Sequence, residues 1–280
     1  MNNSKQWSSA TPGYIIFLID QSGSMAEDYT NGQDKAGFTA RAINRMINDL
    51  ILTNSAGDKI KDRVFISLIG YGGSGGNSVD DVRSDYLSSF ANSPLRLEKV
   101  KKKVSDGAGG LIEIDEEMPI FIESISNGLT PMGEALKFTK ELIDGCISKK
   151  PDNPAPVVIN ISDGLPYEGS GDEEPNKTIV AAQNILNIST ADGNPLIFNV
   201  HIGDGKQEFG FVESDSTLPD DQSKLLFKIS SKVPESYRDA ARKHDFSLTN
   251  DSRGFVSNAG PETLIQFINF GSSGGTDRIV

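Results

Sequence analysis

Cysteine is nearly absent: Cys146 stands alone in 280 residues, so no disulfide closes within the chain. Basic residues are outnumbered, 27 Lys and Arg against 39 Asp and Glu, for a formal net charge of −12. Phosphate backbones are gripped by clustered Lys and Arg, so this balance argues against a nucleic-acid surface and favours a cationic partner or a metal. No apolar run approaches the roughly 20 residues of a membrane span. The first residues have neither a basic n-region nor an apolar h-region. A soluble cytoplasmic protein with no membrane contact is the expectation. With 36% hydrophobic residues the chain can bury a full core, and its length suits one domain carrying insertions.

The most informative segment runs from Tyr14 through Ile15, Ile16, Phe17, Leu18 and Ile19 to Asp20, Gln21, Ser22, Gly23 and Ser24. An apolar, β-branched run this short, bounded by Pro12-Gly13 and Gly23, reads as a strand buried on both faces in a parallel sheet. Its carboxyl end delivers the oxygens of Asp20, Ser22 and Ser24 to the sheet edge where open α/β folds bind ligands. Carboxylate and hydroxyl oxygens suit a hard divalent cation such as Mg²⁺ and not zinc.

Two further segments have the same character. Thr130-Pro131 opens a helix, with Pro at its first position and Met132, Ala135, Leu136, Leu142, Ile143, Cys146 and Ile147 in one stripe. Asp163 follows the apolar strand at 156–161. Taken singly, Thr130 reads as a helix N-cap and Asp163-Gly164 as a turn at a strand end. Elsewhere, helical spacing covers 35–52, about 176–189, 222–230, 234–243 and 262–270. Strands are expected at 63–69, 196–202 and near 254–256. This alternation predicts a doubly wound, mainly parallel α/β sheet with the 14–20 strand central, beside 156–161. The polar residues 1–13 are expected to form a flexible arm, which Trp7 can pin to the body, and 271–280 a flexible tail. The main domain spans 14–270, with an insertion at about 72–126 that includes a basic run at 99–103, read as a solvated strand or hairpin face. The glycines at 72–76 read as a mobile loop, because no Lys-Ser/Thr follows to make a phosphate cradle. Cys146 and His201 are assigned to the core and His244 to the surface.

Asp20-x-Ser22-x-Ser24, Thr130 and Asp163, in this order, resemble the metal-ion-dependent adhesion site (MIDAS) of von Willebrand factor A (vWA) domains. The resemblance implies a Rossmann-like vWA fold and Mg²⁺ or Mn²⁺ held by Asp20, Ser22, Ser24, Thr130 and Asp163. It implies a protein partner that supplies an Asp or Glu to the metal, and no catalysis. The segments Gly128–Leu136, Ser162–Pro166 and Asp106–Glu123 are similar to stand-alone bacterial cytoplasmic vWA proteins of the tellurium-resistance-associated type. That likeness implies an adaptor or scaffold in a stress or signalling system. The rival reading is a Mg²⁺-dependent phosphatase of haloacid dehalogenase type, with Asp20 as nucleophile. Such chemistry needs a carboxylic acid two residues on, where Ser22 stands, and no lysine occupies an obvious position to complete the site.

Overall fold

A computed structural model of the chain describes residues 3–30, 32–57, 59–73, 76–105, 110–169, 174–203 and 207–273. The strands of the main sheet and of a separate ribbon are β1 (Gly13–Asp20), β2 (Val64–Tyr71), β3 (Val79–Tyr86), β4 (Arg96–Ser105), β5 (Leu111–Ile120), β6 (Val157–Ser162), β7 (Leu196–His201), β8 (Phe209–Gly210) and β9 (Phe255–Ser257). Helices are α1 (Lys35–Thr53), α2 (Leu87–Asn92), α3 (Met132–Lys149), α4 (Glu174–Leu186), α5 (Asp221–Lys228), α6 (Arg238–Lys243) and α7 (Pro261–Ser272). Seven strands form one sheet in the order β8-β9-β7-β6-β1-β2-β3. Its five inner strands are parallel, and β8 and β3 close the two edges antiparallel.

The expected doubly wound architecture follows from β1. All eight of its residues are buried. Ile15, Phe17 and Ile19 point into one apolar cluster with α1, α2 and α7, while Tyr14, Ile16 and Leu18 point into another with α3, α4 and α5. A period of two sends alternate side chains to opposite faces, and helices on both faces make every position apolar. Burial of each such side chain contributes about 1.5–3 kcal/mol. Strand β1 lies between β6 and β2, with Ile15 opposite Val157 on one side and Ile66 on the other.

Residues 3–13 are held on the body where a flexible arm was expected. Trp7 is 1% exposed and joins the cluster under α1 and α7. A Cβ on Gly13 would overlap its indole ring. The backbone amides of Ser4 and Lys5 both donate to Asp192 Oδ1 at 2.8 Å. At the other end, α7 runs through Ser272, and the rest of the expected tail lies outside the described residues.

The expected insertion at about 72–126 is smaller than that range. Strand β3 belongs to the main sheet, and only the ribbon of β4 and β5 leaves it, ten residues on each strand. Asn44 of α1 anchors the ribbon's base. Its side chain accepts from the amides of Phe121 (2.8 Å) and Ile122 (3.0 Å) and donates to Ile122 O at 2.9 Å. The basic run lies on β4 opposite acidic β5, with Lys99 facing Glu117 and Lys101 facing Asp115. Two lesser expectations also differ. Cys146 is only partly buried at the edge of the core, and His244 is half-buried at the end of α6.

Trp7 is 1% exposed in the core cluster, so Trp7→Ala leaves a large cavity and is expected to lower the unfolding free energy by about 3–5 kcal/mol. Urea denaturation measures this, and an arm free in solution would give no change.

Candidate metal centre

Asp20 is the last residue of β1, and the chain keeps its course for one residue more, Gln21 N donating to Tyr71 O at 2.9 Å. It then meets the loop before α3. Asn127 N donates to Gln21 O (3.0 Å), Gly23 N donates to Gly128 O (2.9 Å), and Ser22 forms a parallel bridge with Gly128. The following residues, Gly23–Ala26, make one 3₁₀ turn pinned by the fully buried Met25.

This close approach requires glycine. A Cβ on Gly128 would overlap Gly72 O, and one on Gly72, at φ +86°, would overlap Leu129 O. The described residues of the segment expected to be a mobile loop therefore buttress the site. Leu129 N donates to Gly76 O at 2.8 Å and Gly72 N to Ser78 O at 2.8 Å.

Four of the five candidate residues stand in one hydrogen-bonded chain. Asp20 Oδ1 accepts from Ser22 N at 2.9 Å. Ser22 Oγ and Ser24 Oγ are 3.1 Å apart, and Ser24 Oγ donates to Asp163 Oδ1 at 2.7 Å. Thr130 is buried beside this chain without joining it. Its backbone pairs in both directions with Tyr167, at 2.8 and 3.0 Å. Helix α3 starts at Met132 with Pro131 as its cap residue and no side-chain cap bond. Thr130 is thus not the N-cap that its place before Pro131 suggested, and nothing in the helix start occupies its hydroxyl.

Asp20 is 1% exposed. Burial pushes its carboxyl up to about 6, and the nearby Asp163 carboxylate pushes the same way, against the hydrogen bonds from Ser162 and Ser22. Ser162 Oγ donates to Asp20 Oδ2 at 2.5 Å. Beneath the carboxylate, Tyr71 donates to Asn160 Oδ1 (3.0 Å) and Asn160 to Asn199 Oδ1 (2.9 Å), a buried polar row that fixes the ends of β2, β6 and β7. Burial, with Asp20 nearby, holds the Tyr71 hydroxyl well above its ordinary range.

The donor set fits a hard cation. The buried Asp20 carboxylate feels that of Asp163, the Ser22 and Ser24 hydroxyls lie between them, Thr130 is buried in the adjoining loop, and every candidate donor is oxygen. Among the described residues no group of three His, Cys, Asp or Glu side chains converges, so the site's ligand charge is that of Asp20 and Asp163. His201 lines a crevice of about 440 Å³ that also takes in Ser24, Asp163, Lys35 and Glu27, with Nδ1 2.9 Å from Ser257 Oγ. As expected, it is a core residue.

Lys35 was missed by the sequence reading, which found no lysine placed to complete a site. Its ammonium lies 3.0 Å from Asp163 Oδ2 and 2.6 Å from Glu27 Oε2. A signal was present: Lys35 follows the capping Asp34 directly, and a cation in the first turn of a helix opposes the helix dipole.

No family model and no curated protein matches the chain. Among solved structures it is similar to the PilB minor pilin from Streptococcus sanguinis, at 13% identity and TM-score 0.48, over 96% of this chain and 62% of that one. It is similar to the vWF domain of the type V pili tip protein Mfa5 from Porphyromonas gingivalis, at 11% identity and TM-score 0.45, over 96% of this chain and 97% of that one. Manganese-loaded Plasmodium vivax TRAP protein gives 13% identity and TM-score 0.36, over 89% and 70%. The chain thus spans less than two thirds of the pilin's length.

A carboxyl raised from about 3.9 when unfolded to about 6 when folded weakens the metal-free fold as pH climbs through that interval, by about 3 kcal/mol once above it. In EDTA at pH 8, Asp20→Asn is therefore expected to be about 2–3 kcal/mol more stable than wild type, with the difference closing toward pH 4. Urea titrations across that range measure it; a variant less stable at pH 8 would mean that the protein already compensates the charge.

Proposed function

We propose that the chain is a metal-dependent protein-binding module of the vWA type, with Mg²⁺ or Mn²⁺ held by Asp20, Ser22, Ser24, Thr130 and Asp163. The observation that carries this reading is the oxygen chain from Asp20 through Ser22 and Ser24 to Asp163, at the carboxyl edge of a parallel sheet. The bound cation supplies an electrophilic position, kept open because Mg²⁺ rarely takes an all-protein cage, for a carboxylate oxygen of a partner. Asp20, fixed by Ser162 and the Ser22 amide, offers one buried charge, and Asp163, its side chain 1% exposed, offers the other. Ser22, Ser24 and Thr130 contribute oxygens without charge, so the protein supplies no more than the two charges of Asp20 and Asp163 and the cation stays electrophilic at its open position. An acidic residue on another protein fits that position, and a nucleic acid does not fit a chain of net charge −12. The resemblance of the motif segments to tellurium-resistance-associated proteins extends the reading to an adaptor in a bacterial stress or signalling system.

A phosphatase of haloacid dehalogenase type fits less well. Ser22 cannot donate the proton that a leaving group needs, and the Lys35 ammonium is engaged by Asp163 and Glu27. We therefore read the chain as a binding module and not an enzyme.

Calorimetric titration of metal-stripped protein tests the site. Wild type is expected to bind Mg²⁺ or Mn²⁺ and to gain about 2.7 kcal/mol of stability at a hundredfold excess over Kd, both abolished in Asp20→Ala. Thr130→Ala is expected to fold normally and to lose capture of an acidic partner in Mg²⁺. Equal metal affinity in wild type and Asp20→Ala would refute the assignment, and Mg²⁺-dependent phosphate release abolished by Asp20→Ala would favour the enzyme.

A further inference from the structure

Lys35 combines two unfavourable placements. It is the first residue of α1, where the helix dipole repels a cation, and its side chain is 4% exposed. Lysines with a route to solvent extend their ammonium into it, and a buried ammonium without compensation is costly. Here compensation comes from the site itself. One oxygen of Asp163 accepts from Ser24 at 2.7 Å and the other from Lys35 at 3.0 Å, so the lysine and the metal-site serine share one carboxylate. Glu27, largely exposed, receives the same ammonium at 2.6 Å, and the Lys35 amide donates to Glu27 O at 3.1 Å. These two bonds clamp the stretch from Glu27 to Lys35, which follows the 3₁₀ turn carrying Ser24.

From this geometry we propose that Lys35 is a resident counter-cation, which stabilises the metal-free site and opposes entry of a divalent metal. The inference rests on the metal reading above. Asp20 and Asp163 together carry two negative charges, and Lys35 returns one of them next to Asp163. A divalent ion coordinated by that carboxylate therefore stands close to a fixed positive charge in a poorly solvated crevice, where repulsion is screened little. Removing the charge tightens metal binding and weakens the protein without metal. A purely structural lysine would instead lower stability and leave metal affinity equal or poorer.

The test titrates metal-stripped wild type, Lys35→Gln, Lys35→Arg and Glu27→Gln with Mn²⁺ alone by calorimetry, and follows their thermal unfolding in EDTA. Lys35→Gln keeps N–H donors for both carboxylates without the charge. It is expected to bind Mn²⁺ about tenfold more tightly or better and to melt lower in EDTA, whereas Lys35→Arg stays within about twofold of wild type. Glu27→Gln, altered at an exposed carboxylate, takes away one of the negative charges that balance the ammonium and is expected to bind Mn²⁺ several-fold more weakly. Unchanged or weaker affinity in Lys35→Gln, with wild type binding normally, overturns the proposal and leaves the metal site standing. Should Lys35→Gln fail to fold, Glu27→Gln decides, and wild-type affinity there overturns it. Absence of Mn²⁺ binding in wild type and all three variants overturns the metal reading underneath.

Discussion

A carboxylate at the dry end of a fully buried strand is the constraint on which the site depends. Strand β1 is apolar on both faces because helices cover both, and this double burial leaves Asp20 little choice of position. It emerges among the ends of β6 and β2, 1% exposed, with Ser162 and the Ser22 amide as its fixed donors. Isolated desolvated charge is expensive, and the two hydrogen bonds, from Ser162 and the Ser22 amide, answer it in part. A divalent cation would answer the remainder.

The second constraint is backbone proximity. Ser22 and Gly23 run alongside Gly128, which in turn lies against Gly72 at a separation that leaves no room for a side chain. Three segments distant in sequence are thereby held as one surface by main-chain hydrogen bonds, and the side chains of Ser22 and Ser24 need only short reach. Short, neutral, rigidly mounted oxygens suit a small cation with a strict coordination geometry.

Much of this was legible in the sequence, for a physical reason. Strands buried on both faces are apolar without interruption, so β1 and β6 announced themselves, and Asp20 and Asp163 were conspicuous as the first charges after them. The unread parts depend on partners distant in the chain. Trp7 suggested a pin but not where it lands, since a single aromatic is held by what it meets, here Gly13 and the cluster beneath α1. The ribbon of β4 and β5 was legible in its basic strand, read as a solvated strand or hairpin face, while opposite signs become a pairing code only once the register sets Lys99 against Glu117. Thr130 misled because Ser or Thr before Pro has the chemistry of an N-cap, although the backbone bonds with Tyr167 hold it outside the helix. Lys35 left only the oddity of a cation in the first turn of a helix, because its meaning lies in Asp163, 128 residues away.

The most direct test of the central claim is a crystal of the protein grown with Mn²⁺, with anomalous diffraction recorded at the manganese edge. The account predicts one strong peak among the oxygens of Asp20, Ser22, Ser24, Thr130 and Asp163. A peak confined to exposed carboxylates elsewhere, with this crevice holding only water, would contradict it.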